Sequence, residues 1–98
     1  MTKVCFRKTK DGEITAVFPF EPWNLMDFSV TCYVHLGQHG SCCWEWVRGD
    51  TRPATEAESV DLLSELKRIG YDDLQVLRRL PNWSKIVKVF WPQRKTPE

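Results

Sequence analysis

The sequence predicts an α+β domain, an antiparallel sheet of five or six strands with one main helix packed on one face. Three observations carry this expectation. Residues 3–18 and 28–36 alternate apolar and polar side chains as half-buried strands do; residues 55–70 repeat apolar side chains at helical spacing; and turn-forming glycines and prolines separate these segments. At 98 residues the chain can build one modest core, so a single domain is expected over 1–92, with the polar, proline-bearing stretch 93–98 as a flexible tail.

The first element is a hairpin, "KVCFRKTKDGEITAVFPF", with two alternating runs around Asp11-Gly12. A two-residue turn would put Arg7 on the face of Ile14, Ala16 and Phe18. A three-residue loop, Lys10-Asp11-Gly12 with Gly12 left-handed, puts Val4, Phe6 and Lys8 there instead, which is the cleaner face and the preferred register. Pro19 and Pro22 cannot donate to a ladder, so the strand is expected to end and "PFEPWNLMD" to form a loop.

From residue 28 the alternation resumes, with Phe28, Val30, Cys32, Val34 and Leu36 on the core side. "SCCWEWVR", residues 41–48, has strand-forming composition and is expected to fold back antiparallel through Gly37-Gln38-His39-Gly40. That register sets His35 opposite Cys42, Tyr33 opposite Trp44 and Thr31 opposite Trp46, away from the core. It also puts Glu45 on the core side, a defect that calls for a bulge or a sheet edge.

The helix is the most strongly marked element. Thr55 and Glu58 have capping-box spacing; Val60, Leu62, Leu63, Leu66 and Ile69 make the apolar stripe; Gly70 suits a left-handed stop with Tyr71 resting on Leu66. "LQVLRRL" fits a short helix or a strand, the strand being preferred. A second hairpin through Leu80-Pro81-Asn82-Trp83 is then expected to lead into a last strand at "WSKIVKVFW".

Fourteen basic against thirteen acidic residues leave a formal charge of +1, so no global field draws in nucleic acid or an anionic membrane. The N-terminus has no apolar signal core and no apolar run approaches a membrane span, so a cytoplasmic protein with reduced cysteines is expected. Five tryptophans in so short a chain call for either a core or a partner.

The stretch "HLGQHGSCCW" offers His35, His39, Cys42 and Cys43 to a metal, but the spacing is poor: structural zinc sites draw paired ligands from separate knuckles, and adjacent cysteines in a strand point apart. No metal and no cofactor is expected. A thiol nucleophile, Cys42 activated by His35, lacks a third residue to orient the imidazole. The third reading is a binding face, with Tyr33, Trp44 and Trp46 beside Thr31, His35 and Arg48 on the open side of the sheet and Gln38 and His39 in the adjoining loop; its counterpart is a second small core covering the same rings. Arg78-Arg79, Lys85 and Lys88 read as a solvated basic face or an edge-strand device.

The segments "KVCFRKTKDGEITAVFP", "CYVHLGQHGS", "DTRPATEAE" and "LKRIGYDDLQV", over roughly residues 3–78, resemble a family of small uncharacterised proteins of phages and bacterial mobile elements, with "HLGQHGS" the most distinctive part. The resemblance implies a bacterial host cell as the setting and assigns no reaction. The expected function is a non-enzymatic interaction protein that binds a host macromolecule, such as a protein of a bacterial defence system in the manner of an anti-CRISPR. The alternatives are a nucleic-acid or nucleotide binder using the same rings, and a small enzyme using His35 or Cys42.

Overall fold

A computed structural model describes residues 2–24, 28–34 and 39–90. The expected flexible tail, and His35 and Gln38 of the expected site, lie outside the described residues. Among the described residues six strands form one sheet: β1 (Thr2–Thr9), β2 (Ile14–Asn24), β3 (Ser29–Val34), β4 (His39–Cys43), β5 (Thr51–Pro53) and β6 (Leu74–Leu77). The same residues hold three helices: α1 (Trp44–Asp50), α2 (Glu56–Arg68) and α3 (Trp83–Phe90). The α+β class is as expected, with α2 the main helix.

The strands run in the order β4-β3-β2-β1-β5, and β6 also pairs with β1. Short β6 and β5 share one edge of β1: β6 lies parallel along Thr2 to Cys5, and β5 antiparallel along Arg7 to Thr9. The other pairings are antiparallel.

The first hairpin has the expected three-residue loop. Phe6 pairs with Ala16 and Lys8 with Ile14; the Gly12 N–H donates to Thr9 O at 2.9 Å, and Gly12 takes φ +89°, where a side chain would be strained. Strand β2 continues past Pro19 to Asn24 at the cost of two register shifts against β3, where a loop was expected from the prolines.

Helix α2 begins with the full Thr55–Glu58 capping box and ends in a Schellman arrangement, with the N–H of Tyr71 on Leu66 O and that of Gly70 on Lys67 O. Gly70 has φ +126°. Leu62 and Leu66 are buried over Val4, Phe6, Ala16, Phe18 and Tyr33.

The opposite face is covered too, which corrects the one-sided expectation. Val17, Val30, Cys42, Trp44, Val47 and Ile86 make a second core beneath α1 and α3. Val30 and Cys32 do face a core, but it is this one; the main helix lies over the face of Tyr33. Strand β4 ends at Cys43, and "WEWVRGD" is helix α1, not strand. Trp44 and Val47, three apart, reach the core together, while Glu45 turns outward and forms an ion pair with Arg48 at 3.7 Å. The helix thus removes the buried-glutamate defect of the strand reading.

The pairing of β3 with β4 is also shifted from expectation: Tyr33 meets His39 and Thr31 meets Ser41. The C-terminal segment is helix α3 and not the return strand of a hairpin; Asn82 O accepts from the N–H groups of Lys85 and Ile86, and Ile86 inserts fully into the second core. Apolar residues on the spacing of Trp83 and Ile86 suit a helix pressed onto a sheet better than a two-faced strand with one face in water.

Candidate functional site

The aromatic residues singled out in the sequence do not share one open sheet face. Tyr33 is 5% exposed under α2, and Trp44 is 3% exposed in the second core, so the expectation that these rings project together into water is overturned for both. Trp46 alone of the three reaches solvent, at 36% exposure on α1. The described members of the set fall into three places.

The first is the seam between α1 and α3. The Trp83 ring lies 5.6 Å from that of Trp44 and 5.5 Å from that of Phe28. Trp44, Arg48, Leu80, Pro81, Asn82 and Trp83 line a groove of about 420 Å³ between the helices. Phe28 stands beside this groove at φ +54°, in the left-handed region, with 55% of its surface exposed. A bulky residue in that conformation costs about 1–2 kcal/mol. Its backbone is fixed by Trp44, whose N–H donates to Phe28 O at 2.7 Å where α1 begins. The seam therefore presents an aromatic pair with a guanidinium beside it and a buried indole as its floor.

The C-terminus of α1 is held from below. Arg7, buried in the sheet, donates from Nη2 to Thr51 O at 2.9 Å and Val47 O at 3.5 Å, and from Nε to Thr51 Oγ1 at 2.9 Å. Burial lowers its pKa, and Cys5 nearby draws it back up. A cation on the terminal carbonyls of α1 complements the helix dipole and positions Arg48 and Trp44 one turn earlier.

The second place is a groove of about 700 Å³ on the far side of α1, where Trp46 meets Cys32, Cys42, Cys43 and Asp50 beside the β1–β2 turn. Cys42 donates to Val30 O at 3.7 Å and hydrogen-bonds with Cys32. The interaction with Cys32, together with burial, pushes the Cys42 thiol up, whereas the same interaction draws Cys32 down. Burial and this contact both favour the protonated form of Cys42, and His35, its expected activator, lies outside the described residues. Among the described residues no three His, Cys, Asp or Glu side chains come together as a metal-ligand set.

The third place is under the C-terminal end of α2. His39 Nε2 and the Tyr71 hydroxyl share a hydrogen bond of 2.8 Å, and the His39 ring lies 5.1 Å from that of Tyr33. The Tyr33 hydroxyl donates to Glu65 Oε2 at 2.5 Å, a bond that raises its pKa. Tyr71 stacks on Phe18 at 5.2 Å, and burial raises its pKa. These contacts knit β2, β3, β4 and α2 into one layer.

Sequence reasoning placed Trp44 and Arg48 in one site, and they are together, but it missed Phe28 and Trp83. Trp83 was assigned to a turn because Pro81-Asn82 precedes it; its spacing to Ile86 carried the helical signal. A left-handed phenylalanine has no sequence signature. No helix among the described residues is long and apolar enough to cross a membrane. Compared with family models, curated proteins and solved structures, the chain matches none.

Proposed function

We propose that the chain is a non-enzymatic interaction protein that grips a protein partner through the α1–α3 seam, with Phe28 and Trp83 as anchors and Arg48 as the polar contact. The observation that carries this reading is Phe28: its left-handed backbone is costly, and its ring is left largely in water. A strained backbone that leaves more than half of the residue in water, with Trp83 as its ring contact among the described residues, suits an anchor that is completed from outside. Aromatic and arginine side chains dominate protein–protein hot spots. A protein partner is favoured over nucleic acid because Glu45 stands against Arg48 and the formal charge is only +1. The sequence resemblance supplies the setting, a phage or mobile-element protein inside a bacterial cell; that setting and the small size of the chain point to a host protein as partner, with a component of a defence system as one instance.

The test is affinity capture from nuclease-treated bacterial lysate with wild type, Phe28→Gly and Arg48→Ala. Phe28→Gly relieves the backbone strain, so it is expected to be as stable as wild type while losing more than tenfold in partner retention. Retention unchanged in both variants overturns the seam. Retention that depends on nucleic acid and falls steeply with salt replaces the protein partner with a nucleic-acid one.

A further inference from the structure

We propose that β6 is a self-complementary edge through which two copies of the chain join into one continuous sheet. In the parallel ladder with β1, the Thr2 N–H donates to Asp73 O, and Thr2 to Cys5 pair with Leu74 to Leu77. Alternate residues of a parallel strand address the same neighbour, so Asp73, Gln75 and Leu77 turn their backbone groups toward β1, and Leu74 and Val76 turn theirs outward. Among the described residues β6 pairs with β1 alone, so this outer row is a template for another strand.

The flanking charges say which strand fits. β6 is preceded by Asp72-Asp73 and followed by Arg78-Arg79, all exposed, so its charge pattern reverses sign about its own centre. A parallel neighbour of the same sequence would set acid on acid and base on base. An antiparallel copy, related by a two-fold axis normal to the sheet, sets acid on base at both ends.

The face rule narrows the register. Directly opposite residues must point to the same side, so the axis passes through a residue, either Gln75 or Val76. An axis through Val76 places Leu74 opposite Arg78 of the second copy, an aliphatic chain against a charge. That axis would also set Asp73 opposite Arg79. An axis through Gln75 places Leu74 opposite Val76 and Asp72 opposite Arg78, each twice, and sets Asp73 beside Leu77; it is preferred because it alone pairs the two aliphatic residues of the outward row with each other. Leu74 packs against the first core under α2, and Val76 and Arg78 border a groove of about 560 Å³ with Val60 and Leu63. The outward-turned residues Leu74 and Val76 then form hydrogen-bonded pairs across the axis, and Val76, 48% exposed in the monomer, is covered. The opposite end of the same edge offers no such template: β5 ends in Pro53, which has no N–H to give.

Sedimentation velocity on the full chain, over a wide concentration range, tests this. Wild type is expected to show a concentration-dependent dimer. Asp72→Arg and Arg78→Asp should each weaken it about tenfold, since each creates two like-charge oppositions, and the double variant should restore it. In a Cys43→Ser background, Gln75→Cys is expected to cross-link across the axis on mild oxidation and Val76→Cys is not, because Gln75 meets its own copy in a closely spaced non-hydrogen-bonded pair. A chain that stays monomeric throughout, a charge-reversed pair that fails to restore association, or preferential cross-linking through Val76→Cys overturns the proposal.

Discussion

Glu58 accepts a hydrogen bond from Lys8 Nζ at 2.6 Å and from the Thr55 N–H at 2.9 Å, with Arg52 at 3.8 Å. These partners, Lys8 foremost, draw its carboxyl down to about 2. A carboxyl lowered in the folded state stabilises the fold above its unfolded value of about 4.3, and that contribution is lost as the pH falls through the folded one. Glu58→Gln is therefore expected to lower the urea midpoint at pH 7, with the gap to wild type closing as the pH approaches 2; a gap that stays constant would assign the loss to capping geometry and not to charge. Residue-scale features of this kind were legible where they are local. Thr55 and Glu58 announce themselves by spacing, and Lys8 was placed on the helix-facing side by the loop register, although nothing in the sequence named its partner. Arg7 was not legible, because the carbonyls it serves belong to a helix that the sequence does not display.

Among elements, the first hairpin and α2 could be read because each carries its own boundary chemistry, a left-handed glycine in the loop and a cap at either end. Helices α1 and α3 were read as strands for an equally physical reason. Both are short and carry tryptophan and valine, with isoleucine in α3, and short helices owe their existence to the surface they pack on more than to propensity. Strand β5, three residues long, carries no periodicity to detect. The reassignment of α1 changes what Trp44 does. As a seam floor in contact with Trp83 and buried with Val47, it is expected to cost about 3–5 kcal/mol when truncated to alanine, measured by chemical denaturation. A loss below about 1 kcal/mol would mean that α1 packs more loosely than described. By the same logic the candidate site was half legible: composition pointed to aromatic recognition, but the assembly of Phe28 with Trp83 depends on α1 and α3 closing over one sheet face.

At the scale of the molecule, one sheet carries two cores, and the central strands belong to both. Phe18 faces one core and Val17 the other, so neither layer can open without exposing the back of its neighbour. Unfolding is therefore expected as one transition: tryptophan fluorescence, weighted toward Trp44 and Trp83 of the second core, should coincide with the far-ultraviolet circular dichroism of the whole sheet. Separated midpoints would show that α1 and α3 detach as an independent unit. The parallel pairing of β1 with β6 has a further consequence for biosynthesis. The residues that flank Val4 and Cys5 on that side sit at 76 and 77, so a nascent chain leaving the ribosome carries an open backbone edge until those residues have emerged. Slow closure of that edge is the expected result, because the strand that seals it arrives from so far along the chain.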